Sequence, residues 1–354
     1  MRVPLVLLAG VDPEAMATAM VGLQFSLPEA VAVRHEIDPE RGLLTRTVSD
    51  LSGIVETHET LLEHACVTCA IREDILPTLE RLARDGRWHS IVAHLPVGAE
   101  AGHLCAALTW DTRLARFLRV ATVVTALSGR HPVRDLVGDD LLADRGLHCA
   151  PDDRRGVGEV LAAMVEYADA LVLDGDADPV ARSLVAALAR PGVALLDGAH
   201  GLDGGQLLGG LHQRAHRDGW TSPTRSDPLP ELRAEGVWRV DLRSPRPFHP
   251  ERLLESLELL GGGAHRSRGC FWLPTRPGRA VEWDGAGGQL SIGDHAGWGR
   301  RTPFTRIVLT GVGVAPAHLR DAFADLLVAD GERGSWSASE DGFEPWLGPI
   351  REVA

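Results

Sequence analysis

The chain has 354 residues, 44% of them hydrophobic, which is enough for a sizeable core and, at usual domain sizes, for two domains. A formal net charge of -13 excludes a generally basic nucleic-acid-binding surface, so direct DNA binding is not expected, and no apolar stretch approaches the roughly 20 residues of a membrane span. Five cysteines scattered over so long a chain are not the framework of a small disulfide-rich domain, and all 36 basic residues are arginine, which excludes any mechanism that needs an ammonium side chain.

The opening stretch MRVPLVLLAGVDPE carries a short apolar run with no small-residue cleavage pattern. It reads as a buried first strand rather than a signal peptide, and the expected location is the cytoplasm, with no membrane partner. AVAVRHE, HSIVAHLP, RVATVVTAL and ADALVLDGD are similar runs ending at turn or polar residues, and they read as further buried strands. Helical periods lie between them. In REDILPTLERLARDG, Ile75, Leu76, Leu79 and Leu82 form one stripe and Gly86 suits a C-terminal stop; RRGVGEVLAAMVEYADA is a second such segment. This alternation predicts an α/β domain over residues 1–198, built on a mainly parallel sheet covered by helices. Residues 199–235, rich in Gly, Pro and polar groups, are the linker candidate. Over 236–354 come a strand (VWRVDLRS), a helix (HPERLLESLELLGGG), the strands CFWLP, AVEWDG, GQLSIGD and RIVLTGVG, and a helix (PAHLRDAFADLLVAD), which predict a smaller α+β domain with an antiparallel sheet.

The strand, glycine turn and helix at LLAGVDPEAMATAM stand where a phosphate-binding loop would sit. Against G-x-x-x-x-G-K-S/T, Gly10 fits the first glycine, but Ala15, Met16 and Ala17 take the places of the second glycine, the lysine and the magnesium-binding hydroxyl, and Pro13 removes an N–H donor. A residual nucleotide site, with Gly10 and Thr18 as its candidate residues, competes here with a purely structural turn; efficient hydrolysis is not expected.

LLEHACVTCAIRED places Cys66 and Cys69 two residues apart before a helix, a spacing that lets two sulfurs reach one tetrahedral zinc ion. His64 is the nearest further candidate ligand, followed by His35, His58 and Glu36. Thiol redox chemistry and a structural remnant remain alternatives. Cys105 and Cys270 read as buried and Cys149 as a loop residue. His212 and His216 share a helical spacing, but their Gly-rich surroundings favour a solvated segment. Trp272, Trp283, Trp298, Trp336 and Trp346 read mostly as core or rim residues of the second domain; exposed members, with Arg266, Arg268, Arg276 and Arg279, would make an interaction surface for protein or RNA phosphate.

VLLAG with its helix, HACVTCAIREDILPTL, EYADALVL and RSRGCFWLPTRPGRAVEWDGAGGQLSI together resemble the CobW family of metal-handling P-loop GTPases, over nearly the whole chain. The resemblance implies a P-loop NTPase-like sheet, here with a degenerate P-loop, and a CobW C-terminal α+β domain. It also implies zinc as the metal, held by Cys66 and Cys69, with Thr68 at the middle cysteine of the family's C-x-C-C motif. Met16 stands at the family's P-loop lysine, His94 near its acidic residue and Val97 near its glycine, and Asp174 to Ala177 replaces the guanine-reading motif. GTP binding is therefore in doubt. This pattern is similar to an actinobacterial MRF-like branch, which implies a zinc-responsive adaptor that recruits a ribosome hibernation factor to the small ribosomal subunit. The alternative is a GTP-binding zinc metallochaperone, a GTPase delivering metal to a client protein.

Overall fold

The computed structural model describes residues 2–332 and 340–350. In chain order its first part comprises β1 (Val3–Gly10), α1 (Pro13–Ser26), β2 (Ala30–Asp38), β3 (Leu43–Asp50), β4 (Gly53–Leu61), α2 (Val67–Ala70), a π-helical turn (Ile71–Ile75), α3 (Leu76–Asp85), β5 (Ser90–His94), α4 (Ala101–Trp110), β6 (Leu118–Ser128), α5 (Pro132–Val137), α6 (Val157–Tyr167), β7 (Ala170–Asp174), α7 (Pro179–Leu188) and β8 (Ala194–Asp197). The strands form one sheet in the order β4-β3-β2-β5-β1-β6-β7-β8. The run from β2 to β8 is parallel, as the alternation of strands and helices requires. Both faces are covered, which is why these strands read as continuous apolar runs. Leu5, Leu7, Val31, Val33 and Ile91 pack with Ile75, Leu79 and Leu82, whereas Val6, Leu8, Ala32 and Val92 pack with Ala15, Met16, Ala19 and Leu23 of α1. Gly86 closes α3 with a φ of 71°, the left-handed conformation glycine adopts without a steric penalty.

Residues 43–61, read from the sequence only for His58 as a candidate ligand, carry no predicted strand or helix. They form an antiparallel extension, β3 pairing with β2 and β4 with β3, whose outer strand is largely exposed. Polar alternation in LLTRTVSD and GIVETHETL suits an edge hairpin rather than a buried strand.

Residues 199–235 carry α8 (Gly204–Gly209) and α9 (Arg214–Thr221) and pack on the large sheet. The Thr122 hydroxyl donates to the Leu207 carbonyl at 2.6 Å, Arg119 donates to the carbonyls of Leu208 and Gly210, and Trp220 is buried. Glycine and proline marked turns here without marking exposure.

The second sheet contains β9 (Val237–Ser244), β10 (His265–Phe271), β11 (Arg279–Ala286), β12 (Gln289–Gly297) and β13 (Thr305–Val312), in the antiparallel order β12-β11-β10-β13-β9. The segment expected as one helix at 249–263 breaks at Ser256 into α10 (Pro250–Glu255) and α11 (Glu258–Gly261), and α12 (Leu319–Leu326) covers the same face. Phe248, Phe271, Trp283, Leu309 and Phe323 fill this core.

The two sheets are joined by buried charge. Glu166 of α6 accepts from Arg266 at 3.0 and 3.1 Å and from Arg268 at 3.0 Å, while Arg266 also pairs with Asp284. This corrects the expected interaction surface. Arg266, Arg268 and Arg276 are tied into interior ion pairs, Arg276 with Asp341 at 2.9 Å, and only Arg279 stands in solvent, paired with Asp294. Trp283 and Trp298 are buried, Trp272 is half-buried, Trp346 is 45% exposed, and Trp336 lies outside the described residues. Among the described residues no helix is long and apolar enough to cross a membrane.

Candidate metal centre and the glycine turn

Only Val11 and Asp12 separate the end of β1 from the start of α1. A phosphate loop needs backbone N–H groups pointing at the ligand. Here Pro13 has none, the Asp12 carboxylate accepts from the Ala15 N–H at 2.8 Å, and the Met16 N–H donates to the Asp12 carbonyl. The helix end thus already holds an anion, and it is the chain's own. Met16 is fully buried; a Cβ at Gly10 would lie 2.8 Å from its Cγ and 2.7 Å from the Ala126 carbonyl oxygen. Gly10 therefore permits close packing of β1, α1 and β6. Thr18 lies on the exposed side of α1, so the structure does not bring the two candidate nucleotide residues together.

The cysteines do come together. Cys66 caps α2, its sulfur accepting from the Cys69 N–H at 3.4 Å, while its own N–H donates to the His64 carbonyl at 2.8 Å. Cys66 is half-buried and Cys69 buried. Burial pushes the Cys69 thiol up from its ordinary range, and the hydrogen bond and charge of the neighbouring Cys66 push it the same way. Arg72 stands 3.8 Å from the Cys69 sulfur and bridges Glu63 and Glu73 at 2.9 and 2.8 Å.

The other candidate ligands are dispersed. The His64 ring is exposed, Glu36 pairs with Arg34 at 2.7 Å, and His58 is exposed on β4. His35 is buried and turns Nε2 to Asp74 at 3.2 Å, where Arg46 and Thr78 also converge. Among the described residues no group of three or more His, Cys, Asp and Glu side chains is placed to hold a metal ion. Two adjacent sulfurs fit two corners of a zinc tetrahedron and leave the rest open.

Cys105 and Cys270 are buried with thiols pushed up to about 12 by desolvation, as suits packing residues. His212 is buried against Asp169 and Tyr167 at 2.8 and 3.3 Å, whereas His216 is exposed, so the reading of a solvated segment is corrected at His212 and the two do not share a site. Sequence reasoning passed over one grouping: His148 and Cys149 lie with His94 along one cavity. Their signal was the paired ligand types in GLHCA, which the fold brings to the end of β5.

A mainly parallel sheet docked to a five-stranded antiparallel one, with a pair of neighbouring thiols on the turn after its edge hairpin, defines a two-part α/β protein. Residues 237–327 match the cobalamin synthesis protein cobW C-terminal domain. A Mycobacterium tuberculosis protein named as a zinc chaperone is 33% identical over 320 residues, which cover 84% of this chain and 74% of that protein. A zinc-regulated GTPase metalloprotein activator of Dictyostelium discoideum is 22% identical over 273 residues, covering 71% of this chain and 56% of that one. Among solved structures, the Zn(II)-bound YjiA GTPase of E. coli aligns with 92% of this chain and 99% of its own at 16% identity and a TM-score of 0.38. The chain belongs to the CobW-like family.

Proposed function

We propose that this chain is a zinc-handling chaperone of its family, which carries the ion as cargo on the Cys66–Cys69 pair and hands it to a client protein without phosphate transfer at the β1–α1 turn. The observation that carries the reading is the thiol pair itself: two neighbouring sulfurs, one half-buried and one buried, with no third or fourth protein ligand in place among the described residues. A structural zinc is closed off by four ligands, but cargo has to leave, and an open pair leaves corners for a client's donors. The relatives named as a zinc chaperone and as a zinc-regulated GTPase metalloprotein activator support the zinc-handling part of this reading. The filled turn at Asp12 and Met16 is the reason hydrolysis is left out: binding a triphosphate there would require displacing a capping carboxylate and a buried side chain.

The arginine set that would serve recruitment of a ribosome hibernation factor to the small subunit is not free for it. The arginines the sequence offered for RNA phosphate are mostly bound in interior ion pairs. The test is zinc stoichiometry on reduced protein, with GTP turnover followed in the same samples. Zinc lost in Cys66→Ser/Cys69→Ser, without magnesium-dependent turnover in either protein, is the expected result. Undiminished zinc in the double variant, or robust turnover in the wild type, would sink the proposal.

A further inference from the structure

At the end of β2 and β5 lies a cavity of about 180 Å³, lined among others by Pro13, Arg34, His94, Val97, His148 and Cys149. His94 closes β5 and is 2% exposed, yet neither ring nitrogen has a hydrogen-bond partner. Leaving a buried polar group unpaired is costly, so a fold that keeps one facing a cavity invites an occupant. Nδ1 of His148 is likewise buried and unpartnered, while its Nε2 lies 3.8 Å from Glu40. Cys149 is buried and its thiol donates to the Val97 carbonyl at 3.0 Å.

Two imidazoles and a thiol are a donor set that zinc prefers. An anion is the weaker fit, because the lining carries one cation, Arg34, and Glu36 already neutralises it at 2.7 Å.

We propose that His94, His148 and Cys149 form a second zinc station, separate from the Cys66–Cys69 pair. The inference rests on the zinc-handling reading for the supply of the ion. The three donors line one cavity but are not already gathered round one point. Loading therefore needs the Cys149 thiol to leave the Val97 carbonyl and the His148 ring to turn inward from Glu40. As the zinc–sulfur bond forms the thiol proton passes to water, the imidazoles give neutral lone pairs, and no electron changes hands.

The experiment is titration of the full chain with zinc alone and with cobalt(II) alone, in wild type, Cys66→Ser/Cys69→Ser, Cys149→Ser and His148→Gln, with circular dichroism to confirm the fold of each. The wild type is expected to take up a second equivalent beyond the one lost in Cys66→Ser/Cys69→Ser. That remaining equivalent should give the cobalt–thiolate charge-transfer band of a single sulfur. Cys149→Ser removes the second equivalent, and His148→Gln, altering a partly exposed ring, weakens it by about tenfold or more. Full metal uptake in both folded variants overturns the station. So does a Cys66→Ser/Cys69→Ser protein that binds no metal, which leaves the thiol pair standing; if that protein keeps all its metal and loses it only on further Cys149→Ser substitution, the pair fails and the station stands.

Discussion

Met16 shows how little a single position can be restored out of context. It stands where the family's lysine would, but its side chain is fully buried where α1 packs on the large sheet. Met16→Lys should not install nucleotide binding; it should destabilise the fold by ~3 kcal/mol or more, because an ammonium group would be buried without a partner. Denaturant titration beside a GTP-binding assay checks both halves. Asp12→Ala should cost ~1 kcal/mol through loss of the helix cap, again without gain of turnover. Asp341 offers a pH test. Desolvation raises its pKa, but the hydrogen bonds from Arg276 and Thr275 outweigh it, and the net value lies below the ordinary 3.8. A carboxylate depressed in the folded state stabilises above its unfolded pKa and loses that contribution as pH falls through the folded one. The wild type should therefore shed this stability below about pH 4, whereas Asp341→Asn should lack that part of the acid slope and be weaker by ~3–5 kcal/mol at neutral pH, with Arg276 left buried and unpaired. Melting curves across pH decide it.

Among the elements, the β11–β12 hairpin joins local and long-range demands. Ala286 pairs with Gln289 across the two-residue turn Gly287–Gly288, both with positive φ, which is the hairpin geometry glycine favours. Gly287 also meets the Gly138 carbonyl at the end of α5, so a Cβ would collide across the contact between the two sheets' layers. Gly287→Ala should cost about 2 kcal/mol or more, and Gly288→Ala, with no such neighbour, should cost less; paired thermal melts test the order. The glycines were legible in the sequence as a turn, but their second duty was not. The same division holds elsewhere. β1, β2, β5, β6 and β7 were legible because burial on both faces forces continuous apolar runs, whereas β3 and β4, with solvent along the outer strand, left only a polar alternation.

Over the whole molecule, the α6–β10 ion pairs bind the two parts. Glu166 accepts from Arg266 and Arg268, 100 and 102 residues away, in a setting where each charge depends on the others for solvation. Glu166→Ala should destabilise the chain by ~3 kcal/mol and split its unfolding into two transitions, because Arg268 is then left without its carboxylate and Arg266 keeps only Asp284. A single cooperative melt at unchanged temperature would count against this role. Arg266 and Arg268 had read as surface residues because arginine is mostly exposed. What overrides that prior is a carboxylate on another element, which no local pattern reveals.

By itself the sequence determined the strand and helix periods, the absence of any lysine, the incomplete phosphate motif and the C-x-x-C spacing, because each is a property of neighbouring residues. Tertiary structure alone decided that the Asp12 carboxylate caps the helix end where phosphate would sit, that His64 faces solvent while Cys66 and Cys69 adjoin, and that His94 and Cys149 share a cavity. Those outcomes depend on which distant side chains meet, and on how much water their meeting excludes.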